Sequence, residues 1–210
     1  MKQTVIFIDD EENSRFIYGT ALQAMYGAAF ELCAMEPEPT IEAMLLLVES
    51  PELDVVAIVI DEKLQVGGAA NYVGSQFAQA MREYDTKLPL YILTSEMGLI
   101  NEPFGAVEYV IDKSLVLQEN YQKQCATLMR RHIRTFCDIR SERAIRFDEL
   151  LRKSLNEQLT EAEVVEYNEL DFLRIRKIVA VEPMIGGDEL NKQDDLIKQI
   201  ELNLEKAKAY

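Results

Sequence analysis

The sequence predicts an α/β fold, a doubly wound five-stranded parallel sheet, followed by an all-helical C-terminal extension. The first observation is that short apolar, β-branched runs alternate with helical patterns five times in the first half of the chain. The second is that 115–155 contains no glycine or proline and carries apolar residues at helical spacing. We therefore predict an α/β domain over 1–118 and a helical extension over 119–210.

The strands are predicted from apolar runs too short for helices, which suit strands buried on both faces of a parallel sheet. The most regular run, Val55 to Ile60, ends on Asp61. The five predicted strands cover 4–8, 30–35, 55–60, 88–94 and 106–111. Right-handed crossovers between them would place all five carboxyl ends at one edge of the sheet.

The intervening helices are predicted from apolar spacing and from capping residues. The first opens at Asn13-Ser14 and ends at Gly27, the second follows Thr40 and is closed by Pro51, and the third covers 72–83. Residues 97–102 form at best a short helix. The alternation of strands and helices is therefore complete except between the last two strands.

Composition and charge exclude several functional classes. The chain has 210 residues, 48% of them hydrophobic, and a net charge of −15. Such a field repels phosphate backbones, so general binding to nucleic acids or to membrane surfaces is not expected. The charge is uneven, because 1–120 carries a net −14, 121–153 a net +5 and 154–210 a net −6.

Polar side chains follow four of the five predicted strands at their carboxyl ends, where ligands bind in open α/β sheets. Asp9 and Asp10 follow the first strand, Asp61 the third, Thr94 the fourth and Lys113 the fifth. Three neighbouring carboxylates repel one another, and a divalent cation such as Mg²⁺, which prefers oxygen ligands, relieves that repulsion. A carboxylate beside the ion can then attack a phosphoryl group, whose oxygens Lys113 and Thr94 would stabilise.

In these motifs the sequence resembles a response-regulator receiver domain, the phosphoacceptor module of two-component signalling. The resemblance covers about residues 3–116 and rests on IDDEE, VIDEK, ILTSE and IDKS at the ends of four strands, in the family's order. It implies a flavodoxin-like sheet with strand order 2-1-3-4-5. The helical extension resembles no known family.

The resemblance also implies a role for each site residue. Asp61 would accept a phosphoryl group from a histidine kinase or a phosphotransfer protein, with Thr94 as switch hydroxyl and Lys113 as phosphate-contacting lysine. Asp9, Asp10, Asp61 and the backbone carbonyl of Lys63 would hold Mg²⁺. The protein would then catalyse only its own phosphotransfer and dephosphorylation, and would not be an enzyme that acts on a separate substrate.

The sequence departs from the family pattern near the fifth strand. Ser114 replaces the usual proline after the lysine, and the position of the switch aromatic holds Val110, with Tyr109 one residue earlier. A β-bulge in this strand would bring Tyr109 back toward Thr94. A second expectation concerns Lys63 and Glu96, each two residues beyond a site residue. A pair between them across the mouth of the site would obstruct water and prolong the phosphorylated state.

The remaining reactive side chains favour plain interpretations. The three cysteines have no metal or CxxC spacing and indicate a reduced, cytoplasmic protein. His132 lies among arginines in a predicted helix and is expected to be a surface or interface residue rather than a phosphodonor. No apolar segment reaches membrane-spanning length.

The extension is expected to continue the last helix of the α/β domain as one long helix, with an interruption allowed near Ser141. Thr160 and Glu163 form a capping box that starts a second helix, running to about Val181. Asp188 caps a third helix, whose apolar residues are Leu190, Leu196, Ile197, Ile200 and Leu204. The apolar face of the long helix must pack on these later helices or on a second copy of the chain.

Three functions remain open at this point. The first is a phosphoacceptor whose helical tail controls self-association, as a homodimer, or partner binding. The second is a phosphate sink or relay intermediate without a separate output. The third is a nucleic-acid-binding regulator that uses the basic helix 130–153, which the acidic chain and the lack of a helix-turn-helix pattern disfavour.

Overall fold

The structure is a computed structural model that describes residues 2–50, 52–65, 68–97 and 105–179, with side chains described as far as Leu173. The elements in chain order are β1 Gln3–Ile8, α1 Glu12–Tyr26, β2 Glu31–Met35, α2 Ile41–Val48, β3 Asp54–Asp61, α3 Gly74–Tyr84, β4 Leu90–Thr94, β5 Tyr109–Asp112, α4 Glu119–Asn156 and α5 Glu161–Val179.

The five strands form one parallel sheet in the order β2-β1-β3-β4-β5, as predicted. The central strands have no exposed side, because Val5 to Ile8 and Val56 to Ile60 are fully buried. Helices on both faces produce this burial, which explains why these strands read as continuous apolar runs. The fold class expected for the first part of the chain is therefore confirmed.

The helix ends follow local signals that were visible in the sequence. The Thr40 hydroxyl accepts a hydrogen bond from the Ala43 amide at 3.3 Å and caps α2. Gly27 ends α1 with a φ of 83°, a conformation that side chains disfavour. The short helix expected over 97–102 falls almost wholly outside the described residues, and Met97 at its start is in a turn.

Helix α4 is one continuous helix of 38 residues, so the interruption allowed near Ser141 does not occur. Its first half belongs to the core of the α/β domain, where Cys125, Met129, Ile133 and Phe136 are buried against the sheet and its neighbouring helices. The core thus extends beyond the domain boundary predicted at residue 118. An ion pair of 2.8 Å from Arg140 to Asp54 fixes the helix at the amino end of β3.

The second half of α4 packs against α5, which runs antiparallel to it. The rings of Phe147 and Tyr167 stack with centroids 5.2 Å apart. The predicted capping box starts α5, since the Thr160 amide donates to the Glu163 carboxylate at 2.9 Å and Thr160 Oγ1 accepts from the Glu163 amide. The helical character of the extension is confirmed as far as residue 179, and the third predicted helix lies outside the described residues.

Candidate functional site

The strand register brings the predicted site residues to one edge of the sheet. Ile8 of β1 pairs with Ile60 of β3, so Asp9 and Asp61 emerge side by side. Asp61 pairs with Leu93 in β4, and Thr94 pairs with Asp112 in β5, immediately before Lys113. Four strands thus deliver one acid pair, one acid, one hydroxyl and one amine to the same place.

Three carboxylates meet at this edge. Oxygen atoms of Asp9, Asp10 and Asp61 lie within 4.8 Å of one another. Asp9 is fully buried, and Asp61 is 6% exposed. One amine compensates the cluster, because Lys113 Nζ lies 3.0 Å from Asp61 Oδ1 and 3.1 Å from Asp9 Oδ2.

Burial and charge shift the pKa values of these groups in predictable directions. Burial raises the pKa of Asp61 to about 6, although Lys113 and the Lys63 amide oppose the shift. Burial also raises the pKa of Asp9, against the Glu11 amide and Lys113. Burial alone would lower the pKa of Lys113, but Asp61 and Asp9 outweigh it and raise that pKa. The site therefore holds more negative charge than Lys113 alone stabilises.

The donor set fits Mg²⁺. All three acidic side chains offer oxygen ligands, which this hard cation prefers, and the excess of carboxylates over ammonium groups matches a divalent charge. Asp9, Asp10 and Asp61 are the residues that would hold the ion. The participation of the Lys63 carbonyl stays a prediction.

The Thr94 hydroxyl is buried at the same edge, 3% exposed. Its oxygen accepts a hydrogen bond of 3.1 Å from the Glu96 amide. Since a hydroxyl has one proton to donate, the Thr94 proton stays available for an acceptor in the site.

Lys63 and Glu96 form the pair that the sequence suggested. Lys63 Nζ donates to Glu96 Oε1 at 2.5 Å, and both side chains are largely exposed, at 51% and 40%. The pair connects the loop after β3 to the loop after β4, which are the loops that follow Asp61 and Thr94. The contact is confirmed, and its effect on the site stays a prediction.

Tyr109 is not brought to Thr94. The pairing of β4 with β5 is regular, with Tyr91 opposite Tyr109 and Thr94 opposite Asp112, so the bulge that would bring Tyr109 toward Thr94 is absent. Residues three apart in paired strands point to opposite faces of the sheet. Tyr109 instead hydrogen bonds with the hydroxyl of Tyr121 in α4, which also accepts from the Asp112 amide at 3.0 Å.

His132 is more than a surface residue. Its ring stacks on the ring of the fully buried Tyr91, with centroids 6.0 Å apart, and Nδ1 lies 3.0 Å from the Tyr91 hydroxyl. Burial lowers the pKa of His132. The histidine thus packs α4 against β4 on the face of the sheet, which is a contact within the chain.

Sequence reasoning missed an anchor directly behind Asp61. The next residue, Glu62, accepts hydrogen bonds from the Ser75 amide at 2.9 Å and the Ser75 hydroxyl at 2.8 Å, and so caps α3. A Cβ on Gly74 would lie 2.3 Å from the Asp61 carbonyl oxygen. Only glycine lets α3 begin this close, and the sequence offers no signal for that contact because it joins segments 13 residues apart.

Two further side chains support the site from α1. Arg15 Nη1 donates to the Asp9 carbonyl at 2.7 Å and its Nη2 pairs with Glu36 at 2.6 Å. Lys113 Nζ lies 5.2 Å from the ring centroid of Tyr18. Both residues fall within the first helix that the sequence predicts, but the sequence does not show which way their side chains point.

No protein-family model and no curated protein sequence matches this chain. Comparison with solved structures does find similar folds. These structures are receiver domains of response regulators. The similarity covers about 60% of this chain, and the remainder is the C-terminal extension.

Three of them illustrate the extent of the likeness. Response regulator TrrA of Thermotoga maritima, solved with Mg²⁺-BeF, has 16% identity over 60% of this chain and 98% of its own, with a TM-score of 0.47. TrrA in complex with the histidine kinase ThkA has 18% identity over 60% and 97%, with a TM-score of 0.46. The signal receiver domain of an HD domain-containing protein from Pseudomonas fluorescens has 14% identity over 67% and 93%, with a TM-score of 0.48.

In the described part of the chain, no helix combines the length and the apolar character needed to cross a membrane.

Proposed function

We propose that this protein is a phosphoacceptor of two-component signalling and that Asp61 takes the phosphoryl group. The observation that carries the proposal is the contact between Lys113 and Asp61 inside the three-carboxylate cluster. A largely buried ammonium group beside a buried acid, with a hydroxyl at the next strand end, supplies a nucleophilic oxygen and two groups that can stabilise phosphoryl oxygens. The donor would be a histidine kinase or a phosphotransfer protein.

The chemistry follows from the ionisation of the site. With a pKa of about 6, Asp61 is mostly ionised at pH 7, so a carboxylate oxygen is available to attack phosphorus. A new O–P bond forms as the P–N bond of the donor breaks, and the leaving nitrogen keeps the electron pair. Lys113 would then contact one oxygen of the transferred phosphoryl group. The Thr94 hydroxyl would donate a hydrogen bond to a second oxygen of that group. Mg²⁺, when bound, would neutralise the charge of that group.

The Lys63–Glu96 pair gives the proposal a kinetic component. Hydrolysis of an acyl phosphate needs a water molecule to approach phosphorus from the side opposite Asp61. The pair bridges the loops that follow Asp61 and Thr94, and we expect it to lie across this approach. It would slow that water and lengthen the lifetime of the phosphorylated state.

Helix α4 offers the route from the site to the tail. Its residue Tyr121 accepts a hydrogen bond from Asp112, the neighbour of Lys113, and the helix then continues without a break to Asn156. A shift of Lys113 on phosphorylation would therefore reach the extension through a rigid element. The proposed output is self-association, as a homodimer, or partner binding by that extension, in a cytoplasmic protein.

Three basic residues in the second half of α4 form ion pairs within the chain. Arg140 pairs with Asp54, Arg146 with Glu166 at 2.9 Å, and Lys153 with Glu163 at 2.7 Å. These pairs support a structural role for these three residues, and nucleic-acid binding is not part of the proposal because the chain as a whole is strongly acidic.

The test is labelling with acetyl phosphate and Mg²⁺, followed by a phosphate-affinity gel. Wild type should be labelled and Asp61→Asn should not. Asp112→Asn is the matched control, because Asp112 lies at the same sheet edge and binds Ser114 instead of the acid cluster. Unlabelled wild type, or a labelled Asp61→Asn variant, contradicts the proposal. Light scattering with beryllofluoride and Mg²⁺ then distinguishes two outputs. The molar mass should rise if the output is self-association, and it should stay unchanged if the protein is a phosphate sink.

A further inference from the structure

The extension has an apolar groove between α4 and α5, at the end of the molecule opposite the acid cluster. A cavity of about 290 Å³ opens there, lined mainly by Phe136, Ala144, Phe147, Leu170 and Leu173. Along α4 the same side continues through Leu151 to Leu155, which is 77% exposed. The spacing from Ala144 through Phe147 and Leu151 to Leu155 is a helical stripe, of the kind that packs against another helix.

We propose that residues 188–208 of this chain fill that groove as the third helix of a bundle, antiparallel to α5. The sequence predicts a helix there, with Leu190, Ile197 and Leu204 seven residues apart and Ile200 between them. This heptad pattern is typical of a helix that packs along a narrow apolar seam. The inference does not depend on phosphorylation.

The lengths agree. A helix from 190 to 207 would be about 27 Å long, and α4 from 136 to 155 about 30 Å, at a rise of about 1.5 Å per residue. Ion pairs of Lys153 with Glu163 and of Arg146 with Glu166 fix α5 antiparallel to α4, so Leu173 lies near the sheet end of the groove. Eight residues, 180–187, then suffice to turn the chain back into it.

Charges agree at both ends of this arrangement. Arg143 lines the cavity near the sheet and takes part in none of the ion pairs that the described residues form. The proposed helix would begin beside it with Asp188 and Glu189. At the far end Glu157 and Glu161 border the turn between α4 and α5, and the proposed helix ends there with Lys206 and Lys208. The reverse orientation would place like charges together at both ends.

The test is amide hydrogen exchange on the full chain. Ile197→Asp places a charge in the stripe and should raise exchange in 144–155 and 165–173 at least tenfold. The matched control Gln199→Asp introduces the same residue two positions away, off the stripe, and should leave exchange at the wild-type rate. Equal exchange in wild type and Ile197→Asp would overturn the proposal.

A charge exchange keeps the proposal testable even if Ile197→Asp disrupts the whole tail. Arg143→Glu should raise exchange in the same segments, and adding Asp188→Arg and Glu189→Arg to it should restore protection. Failure of this restoration contradicts the predicted orientation. Light scattering tests the alternative that a second copy of the chain occupies the groove. A dimer mass, together with exchange protection that falls on dilution, would show that second copy and overturn docking within the chain.

Discussion

Replacing Gly74 with alanine tests whether the start of α3 positions the phosphoacceptor. The added Cβ would lie 2.3 Å from the Asp61 carbonyl oxygen and 3.1 Å from Glu62 Cα, whereas ordinary contacts begin at 3.4 Å. Both neighbours are backbone atoms, which cannot rotate away. The end of β3 or the start of α3 must therefore move by about 1 Å.

That movement has two measurable consequences. Overpacking of this kind costs about 1–3 kcal/mol of the free energy of unfolding. A misplacement of about 1 Å at a reacting group can reduce its rate about a hundredfold. We therefore expect Gly74→Ala to be less stable in urea denaturation and to accept phosphate from acetyl phosphate about a hundred times more slowly than wild type.

Gly19→Ala is the matched control. Gly19 lies inside α1, and its added Cβ would meet Leu32 Cδ2 at 3.5 Å, an ordinary contact. Alanine in a helix interior is favoured over glycine by about 0.5–1 kcal/mol, so this variant should gain stability and keep its phosphorylation rate. Wild-type stability and wild-type labelling in Gly74→Ala would refute the reasoning.

Three other predictions concern the site and its surroundings. The folded state raises the pKa of Asp61 from 3.8 to about 6, so ionised Asp61 opposes folding increasingly as the pH rises through this window. In EDTA, the free energy of unfolding of Asp61→Asn should thus exceed that of wild type at pH 7 by up to about 3 kcal/mol, and the difference should vanish below pH 4. A variant that is less stable than wild type at pH 7 would contradict this expectation. Lys63→Ala and Glu96→Ala should each shorten the phosphoryl half-life, by up to about fivefold, because an exposed pair is worth about 0.2–1 kcal/mol. An unchanged half-life, measured by loss of label, would remove the pair from the mechanism. Tyr91→Phe should lower the free energy of unfolding by about 1 kcal/mol in thermal unfolding, since it removes the hydroxyl that lies beside His132 Nδ1. Equal melting temperatures for the variant and wild type would show that this contact does not stabilise the fold.

The local chemistry of the chain fixed much of the architecture. Buried parallel strands read as apolar runs because both of their faces are covered, and strand ends carry polar residues because the chain leaves the core there. These two rules located Asp9, Asp10, Asp61, Thr94 and Lys113, since right-handed crossovers leave only one edge for them to share. The capping box at Thr160 was equally predictable from the sequence, because its two partners are only three residues apart.

What the sequence could not reveal were contacts between distant segments. The approach of α3 to Asp61 depends on the absence of a side chain at Gly74, and a glycine in a sequence does not say what it faces. The strand register places Tyr109 beside Tyr121 and away from Thr94, because side chains along a regular strand alternate between the two faces of the sheet. The sequence contains no pattern that shows whether this strand has a bulge. The sequence by itself thus determined which groups stand at the sheet edge that bears Asp61. Only the tertiary structure decided how they are held there, since close packing between remote elements sets each position.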